Sequence, residues 1–494
     1  MTNPFQQALA NEANKTTTEN GAVTHASTMD NLLDFFYHAP AKRGDSEVET
    51  LFFKALSSDA SLATQILFYL RDPRGGQGER DSFRKCLAIV KKERPFIFDT
   101  VIHMVSEYGR WDDILMFTDS PTVKDLVKLQ IHNDIVAKTL DKNASISLLG
   151  KWMPSINTSS KETQALGRKW AKILGYTEKQ YRLVLSGLRK QIDIVESKMS
   201  ANQWGSVNYS AVPSRASLLY REAFKRHDET RYNEFVEKAV KGEVKINSAV
   251  LFPFDIIHKY GVHSWGDASD VDNTLEALWN QLPNYADSNK NALVVADVSG
   301  SMSGTPMEVC ISLAIYIAER NKGAFKNQFI TFSETPSLEY LVGNTLREKI
   351  TNLSQANWGM STSLEKVFDL ILNAAVEHNV KQEFLPDSIF IISDMEFNRC
   401  MDDGDLTNFE RAKGRFEMFG YTLPKVIFWN VASRNLQAPV TKDEKGVYLV
   451  SGCSPSIFEK AINATAVSPI EMMMEVLDNP RYAPVKEALR VITL

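Results

Sequence analysis

Asn291-Ala-Leu-Val-Val-Ala-Asp297-Val-Ser299-Gly-Ser301-Met-Ser-Gly304 is an apolar run that stops abruptly at one carboxylate and two hydroxyls. A short continuous apolar run reads as a buried strand. Its end, Asp297-x-Ser299-x-Ser301, puts three hard oxygen donors on one loop. Such donors suit Mg²⁺, Mn²⁺ or Ca²⁺ and suit zinc or copper poorly. Thr305-Pro306-Met307-Glu308 follows, with threonine as N-cap, proline at the first helical position and glutamate three after the cap. Met307, Cys310, Ile311, Ala314, Ile315 and Ala318 then recur at helical spacing. The reading is strand, oxygen-rich loop, amphipathic helix. Taken alone, the same residues also describe a buried strand ending in an ordinary polar turn.

Two later segments separate these readings. Trp358-Gly-Met-Ser361-Thr362-Ser363 is a polar loop leading into a helix whose apolar face includes Leu364, Val367, Phe368, Ile371, Leu372 and Ala375. Ser388-Ile-Phe-Ile-Ile-Ser-Asp394 is a second buried strand ending in an acid. In an α/β sheet, loops at the carboxyl ends of parallel strands converge on one edge. Asp297, Ser299, Ser301, Thr362 and Asp394 are therefore placed to meet around a single ion, with Ser361 or Ser363 as substitutes for Thr362. This arrangement resembles the von Willebrand factor A domain and its metal-ion-dependent adhesion site. The resemblance implies a doubly wound, Rossmann-like α/β domain and those five residues as ligands of Mg²⁺, or of Mn²⁺ or Ca²⁺, some through water.

Outward from this segment, a chain of 494 residues is too long for one core, which predicts several domains. No apolar stretch is long enough to span a membrane. The N-terminus has no basic segment followed by an apolar one, so a cytoplasmic location is expected. Cys86, Cys310, Cys400 and Cys453 lack CxxC spacing and read as free buried thiols. The net charge of −5 hides an asymmetry: residues 1–290 carry 37 Lys and Arg against 36 Asp and Glu, the remainder 19 against 25. Within the first part, residues 151–250 hold 18 basic and 10 acidic side chains.

Residues 1–28, rich in Asn, Thr, Ala and Gln, read as a flexible tail. From 29 to 265 the pattern is helical throughout, with helices expected near 47–56, 60–70, 82–90, 95–108, 122–140 and 162–174. No fixed period is present, so irregular stacked helix pairs are expected rather than a consensus repeat. The Asp-, Asn- and Ser-rich stretch 266–290 reads as a linker. The α/β domain is assigned to 291–465, with strands near 292–297, 328–332, 338–342, 388–394, 423–432 and 446–451. Residues 466–494 are again helical and are expected to pack back on either domain.

In the helical part, Leu70-Arg71-Asp72-Pro73-Arg74-Gly75-Gly76-Gln77-Gly78-Glu79-Arg80 combines glycines with three arginine forks suited to phosphate oxygens. It is neither a Walker loop nor a dinucleotide fingerprint. The same residues also fit a helix connection whose arginines pair with Asp72, Glu79 and Asp81. Farther on, Lys151, Trp152, Lys169, Trp170, Lys172, Arg182, Arg189, Trp204, Tyr209, Arg215 and Arg226 interleave cations with aromatics. Such a mixture can hold phosphates and stack bases, or form a solvated helical face over core tryptophans. Arg71, Arg74, Arg80, Lys169, Lys172, Arg182, Arg189, Arg215 and Arg226 are the candidate RNA-binding residues.

The arginine loop, Tyr108-Gly-Arg-Trp-Asp-Asp113, Lys151-Trp-Met-Pro-Ser155 and Val207-Asn-Tyr-Ser210 resemble a family of unknown function from cellular and viral genomes. That family resembles, more distantly, the Ro (TROVE-type) group. The resemblance implies a HEAT-like helical ring or arc closed by a von Willebrand A domain, and a role in binding misfolded or noncoding RNA with single-stranded ends.

An enzyme is not expected. Gly300-Ser301-Met302-Ser303-Gly304 is not a nucleophile elbow, and the histidines form no HExxH. Three functions follow in order: an RNA-binding ring with a metal-binding A domain; an adaptor whose metal site captures an acidic side chain of a protein partner; and, last, a metal-dependent phosphoryl-transfer enzyme or nuclease.

Overall fold

A computed structural model describes residues 3–261, 270–286, 290–332, 335–354, 362–400 and 406–490. A small antiparallel hairpin pairs β1 (Lys15–Thr17) with β2 (Val23–His25). The large sheet has six strands: β3 (Ala292–Ala296), β4 (Gln328–Thr331), β5 (Leu338–Tyr340), β6 (Ser388–Ser393), β7 (Lys425–Asn430) and β8 (Val447–Ser451). Their order is β5-β4-β3-β6-β7-β8, all neighbours parallel except β4 and β5. Every residue of β3, β6 and β8 is buried, which explains their continuous apolar runs, since parallel strands are covered on both faces. Strand order reverses on either side of β3. The switch point thus falls between the carboxyl ends of β3 and β6, where α/β sheets place their ligands.

Before β3, the described chain from Asn31 onward is helical. Helices Glu47–Ser58, Ala60–Arg71 and Asp81–Glu93 pack on one another, as do Ser214–His227, Glu229–Val240 and Asn273–Asn280. The expected helix over 95–108 is broken into Pro95–Val101, a 3₁₀ turn and Val105–Tyr108. The helix after the first loop spans Thr305–Arg320, but its cap differs from expectation. Gly304, at φ +89°, is the N-cap, and Glu308 is buried against His258 at 2.9 Å.

Two segments are more ordered than their composition implies. Residues 15–25 are not a free tail. The hairpin is strapped to the carboxyl edge of the large sheet: Thr18 Oγ donates to Phe397 O at 2.7 Å, and His25 and Ala438 exchange backbone hydrogen bonds at 3.1 and 2.8 Å. The stretch read as a linker contains the helix Asn273–Asn280, capped by Asp272 and burying Leu275, Leu278 and Trp279. The C-terminal helix Ala483–Arg490 packs against Ala60–Arg71 and Pro95–Val101, on the helical part.

One hydrophobic core runs through both parts, and a second, smaller one gathers Val195, Val207, Tyr209, Val212, Phe224, Tyr232 and Val236. Polar groups also cross the seam. Buried Glu276 accepts Leu346 N at 2.7 Å and Tyr260 Oη at 2.6 Å, so a helical-part carboxylate caps the helix Leu346–Ser354. All four cysteines are free, three of them buried.

Candidate functional site

The β3 and β6 ladders set the geometry of the oxygen cluster. Ala296 is paired with Ile392, and Asp297 N donates to Ile392 O at 2.9 Å, so Asp297 lies beside the Ser393–Asp394 end of β6. Asp297 Oδ1 accepts Ser299 N at 2.9 Å, and Asp297 Oδ2 accepts Ser393 Oγ at 2.6 Å. The hydroxyls of Ser299 and Ser301 are 3.0 Å apart. Asp394 Oδ1 accepts Glu396 N at 3.2 Å, whereas its Oδ2 is buried without a hydrogen-bond partner. Burial and the neighbouring Asp394 carboxylate push the Asp297 carboxyl up to about 6, against the pull of its hydrogen bonds from Ser393 and Ser299. Two buried carboxylates this close are costly without a cation.

Thr362 is buried, and its carbonyl accepts Asn398 N at 3.0 Å, which ties its loop to the chain just beyond Asp394. Ser363 is occupied elsewhere, as the N-cap of Leu364–Glu377, its hydroxyl accepting Lys366 N at 3.4 Å. Ser361 lies outside the described residues. Among the described residues, no three His, Cys, Asp or Glu side chains form a metal-binding group; the cluster offers two carboxylates and hydroxyls. That donor set, with one buried carboxylate oxygen unsatisfied, fits a hard divalent ion.

Two residues here escaped the sequence reading. Ser393 fixes Asp297. Arg434, after β7, donates from Nη2 to Ser301 O and places Nε 3.8 Å from Asp394 Oδ2. Nothing in the local sequence around Arg434 marks it; only the fold brings it to β3 and β6.

The arginine loop is built differently from a phosphate cradle. Asp72, fully buried, accepts Arg74 N and Gly75 N at 3.1 Å each, together with Arg481 and Tyr482 Oη. Those amides are therefore spent on a side chain. A Cβ on Gly76 would lie 1.9 Å from Tyr69 O, so this glycine serves close packing of loop on helix. Arg71 is buried and ion-paired with Asp113 at 2.8 Å, and Asp113 also receives Arg84 at 2.7 Å. Arg189 gives its guanidinium to Gly150 O, Ser155 Oγ and Met153 O at 2.8–3.0 Å, and burial pulls it below the usual arginine value. Arg71 and Arg189 are latches, which corrects their reading as open phosphate forks.

Arg74, Arg80 and Arg215, in contrast, are exposed and line one cleft of about 700 Å³ with Arg110, Lys151 and Trp152. The Arg110 guanidinium lies 4.2 Å from the Trp152 ring centre and Lys151 Nζ 5.6 Å. Six cationic side chains line this cleft, Arg71 included, against Glu79, Asp81 and Glu196. Arg74 and Arg80 have exposed partners, Glu107 and Asp81, whereas Arg215 pairs at 3.2 Å with the buried carboxylate of Asp255. Arg182 lines a second cleft of about 640 Å³ with Arg189, Lys190 and Lys198. Lys169, Lys172 and Arg226 are exposed on helices and line neither cleft.

Residues 18–113 and 120–289 match the family described as a domain of unknown function (DUF2828). The chain belongs to that family. Residues 291–487 match a second one, described as a domain of unknown function (DUF7788), and the two matches meet just before β3. "Uncharacterized protein L728" of Acanthamoeba polyphaga mimivirus is 30% identical over 506 residues, covering 94% of this chain and 88% of that protein. Among solved structures, the chain is similar to the Ro (RSR) protein of Deinococcus radiodurans. That similarity has a TM-score of 0.32 at 13% identity, over 92% of this chain and 93% of that one, and is too loose to carry an argument. No helix among the described residues is long and apolar enough to cross a membrane.

Proposed function

We propose that this chain binds single-stranded RNA through the cleft between the arginine loop and Trp152. One observation carries the reading. Four sequence segments far apart in the chain, around Arg74, Arg110, Trp152 and Arg215, bring the exposed guanidinium groups of Arg74 and Arg215, the half-buried one of Arg110 and an indole to one concave surface. Arginine forks fit phosphate oxygens bidentately, and aromatic rings stack on unpaired bases. Glu107 and Asp81 pair with Arg74 and Arg80 only at the surface, where an ion pair contributes about 0–1 kcal/mol and gives way to phosphate. The test is fluorescence anisotropy with labelled single-stranded and duplex RNA. The single strand binds more tightly, and Trp152→Ala narrows that difference; equal affinity for both forms in the wild type counts against the proposal.

The α/β part, in this proposal, is a von Willebrand A-type domain holding Mg²⁺ or Mn²⁺ through Asp297, Ser299, Ser301, Thr362 and Asp394. A divalent ion bound there would supply an electrophilic position for an outside oxygen ligand. Ser393 keeps Asp297 oriented toward the cluster, and Ser299 and Ser301 present neutral hydroxyls. With only two carboxylates, the donor set favours holding a ligand over hydrolysing one. A second reading, capture of an acidic side chain from a protein partner, rests on the unsatisfied Asp394 oxygen. Retention of a protein partner on immobilised protein that is lost with EDTA would support it.

A further inference from the structure

Arg434 stands where a cation is wanted. Its Nη2 donates to Ser301 O, its Nε lies 3.8 Å from Asp394 Oδ2, and its Nη1 lies 3.7 Å from Glu19 Oε2. The contact with Asp394 is too long for a hydrogen bond, so that oxygen is charge-compensated without being bonded. The guanidinium is 40% exposed, has room to move, and already has a second carboxylate in Glu19. Glu19 belongs to the strap, in the turn between β1 and β2. Its backbone amide is fixed by Glu396 Oε2 at 2.7 Å, and Asn435, next to Arg434, reaches both Glu19 Oε1 at 3.3 Å and Glu396 Oε1 at 2.9 Å. Gln437 Nε2 also donates to Glu396 Oε1, at 2.6 Å, so Glu396 is committed to holding the strap.

Resting on the metal-site reading above, we propose that Arg434 is a built-in competitor for the divalent ion. In the ion-free protein its guanidinium neutralises Asp394. An ion held by Asp394 would set a second positive charge against the guanidinium, and like charges that close would not both stay. Arg434 then withdraws onto Glu19, and the N-terminal strap registers whether the site is filled. Ion affinity is thereby set by the difference between two carboxylates, one in the site and one on the strap.

The experiment is Mn²⁺ binding followed by electron paramagnetic resonance of the free ion, on the full chain. Removing the competitor in Arg434→Gln raises Mn²⁺ affinity by about tenfold or more. Removing its alternative partner in Glu19→Gln does the opposite, because the guanidinium then has only Asp394. A merely structural Arg434 predicts weaker binding in both variants. Arg434→Gln binding Mn²⁺ no better than the wild type, while Asp297→Ala abolishes binding, overturns the competitor and leaves the metal site standing. Asp297→Ala binding as the wild type does overturns the metal site and the competitor together. Should Arg434→Gln fail to fold, Glu19→Gln keeps the proposal falsifiable, since unchanged or tighter binding in it overturns the proposal.

Discussion

At the scale of single residues, the same side-chain type does opposite work according to what the fold sets opposite it. Arg71 and Arg74 are three positions apart, yet one is locked on Asp113 and the other faces solvent. Nothing in the arginine loop distinguishes them, because the deciding partner lies 42 residues away in the chain. Removing that partner in Asp113→Ala leaves Arg71 buried and unpaired and costs about 3–5 kcal/mol in chemical denaturation. The place of Asp297 at the carboxyl end of β3 was legible, since an apolar strand ending in Asp-x-Ser-x-Ser carries its own signal. Mg²⁺ stabilises only the state that binds it, so it raises the melting temperature of the wild type and not of Asp297→Ala. Equal shifts in both would reject the assignment. His38 supplies a pH signature. It is fully buried, hydrogen-bonded to Ser433 at 2.8 Å, and burial, with Lys42 nearby, pulls it down to about 3. The unfolded chain binds that proton near its ordinary value of 6.5 and the folded chain does not. Stability therefore falls as pH drops below about 6.5 toward 3, by about 1.4 kcal/mol per unit at most. In His38→Leu, urea unfolding measured across this range shows a shallower acid limb.

Among elements, the apolar strands and long helices could be read directly because burial on both faces or on one stripe leaves a period in the sequence. The elements that were missed are those whose order comes from contacts rather than from composition. The β1–β2 hairpin is only three residues per strand and is held by the chain at 396–399 and by Ala438. The helix Asn273–Asn280 hides in a polar stretch, although Leu275, Leu278 and Trp279 stand at helical spacing and signal it. The arginine loop teaches a related lesson. Its glycines suggested close approach of a ligand, but Gly76 meets the carbonyl of Tyr69 and the loop amides meet Asp72. Gly76→Ala is accordingly a packing mutation, expected to cost about 1–3 kcal/mol in thermal or urea unfolding. An unchanged stability would return that glycine to a ligand-facing role.

For the whole molecule, two chemically different surfaces lie on different parts of one continuous core. The oxygen cluster is made by sheet loops, and the cationic cleft by helix connections. If each serves its own ligand, Asp297→Ala leaves RNA affinity within about threefold, well under 1 kcal/mol. A tenfold loss with either Asp297→Ala or EDTA would mean instead that the ion bridges to phosphate. Division of the family matches at 289 and 291, just before β3, fits two units with separable tasks.

The most direct measurement of the central claim is RNA affinity as a function of salt, for the wild type and for Arg74→Glu combined with Arg215→Glu. Both arginines are exposed and lie on the cleft, unlike Arg189, whose reversal would break three latching hydrogen bonds. Each neutralised phosphate of a single strand contributes about −0.7 to the slope of log affinity against log salt. A cleft holding three or four phosphates gives a wild-type slope of about −2 to −3, and the double reversal lowers both the affinity and the slope. A wild-type slope near zero, or a double variant that binds RNA as the wild type does, would contradict the account.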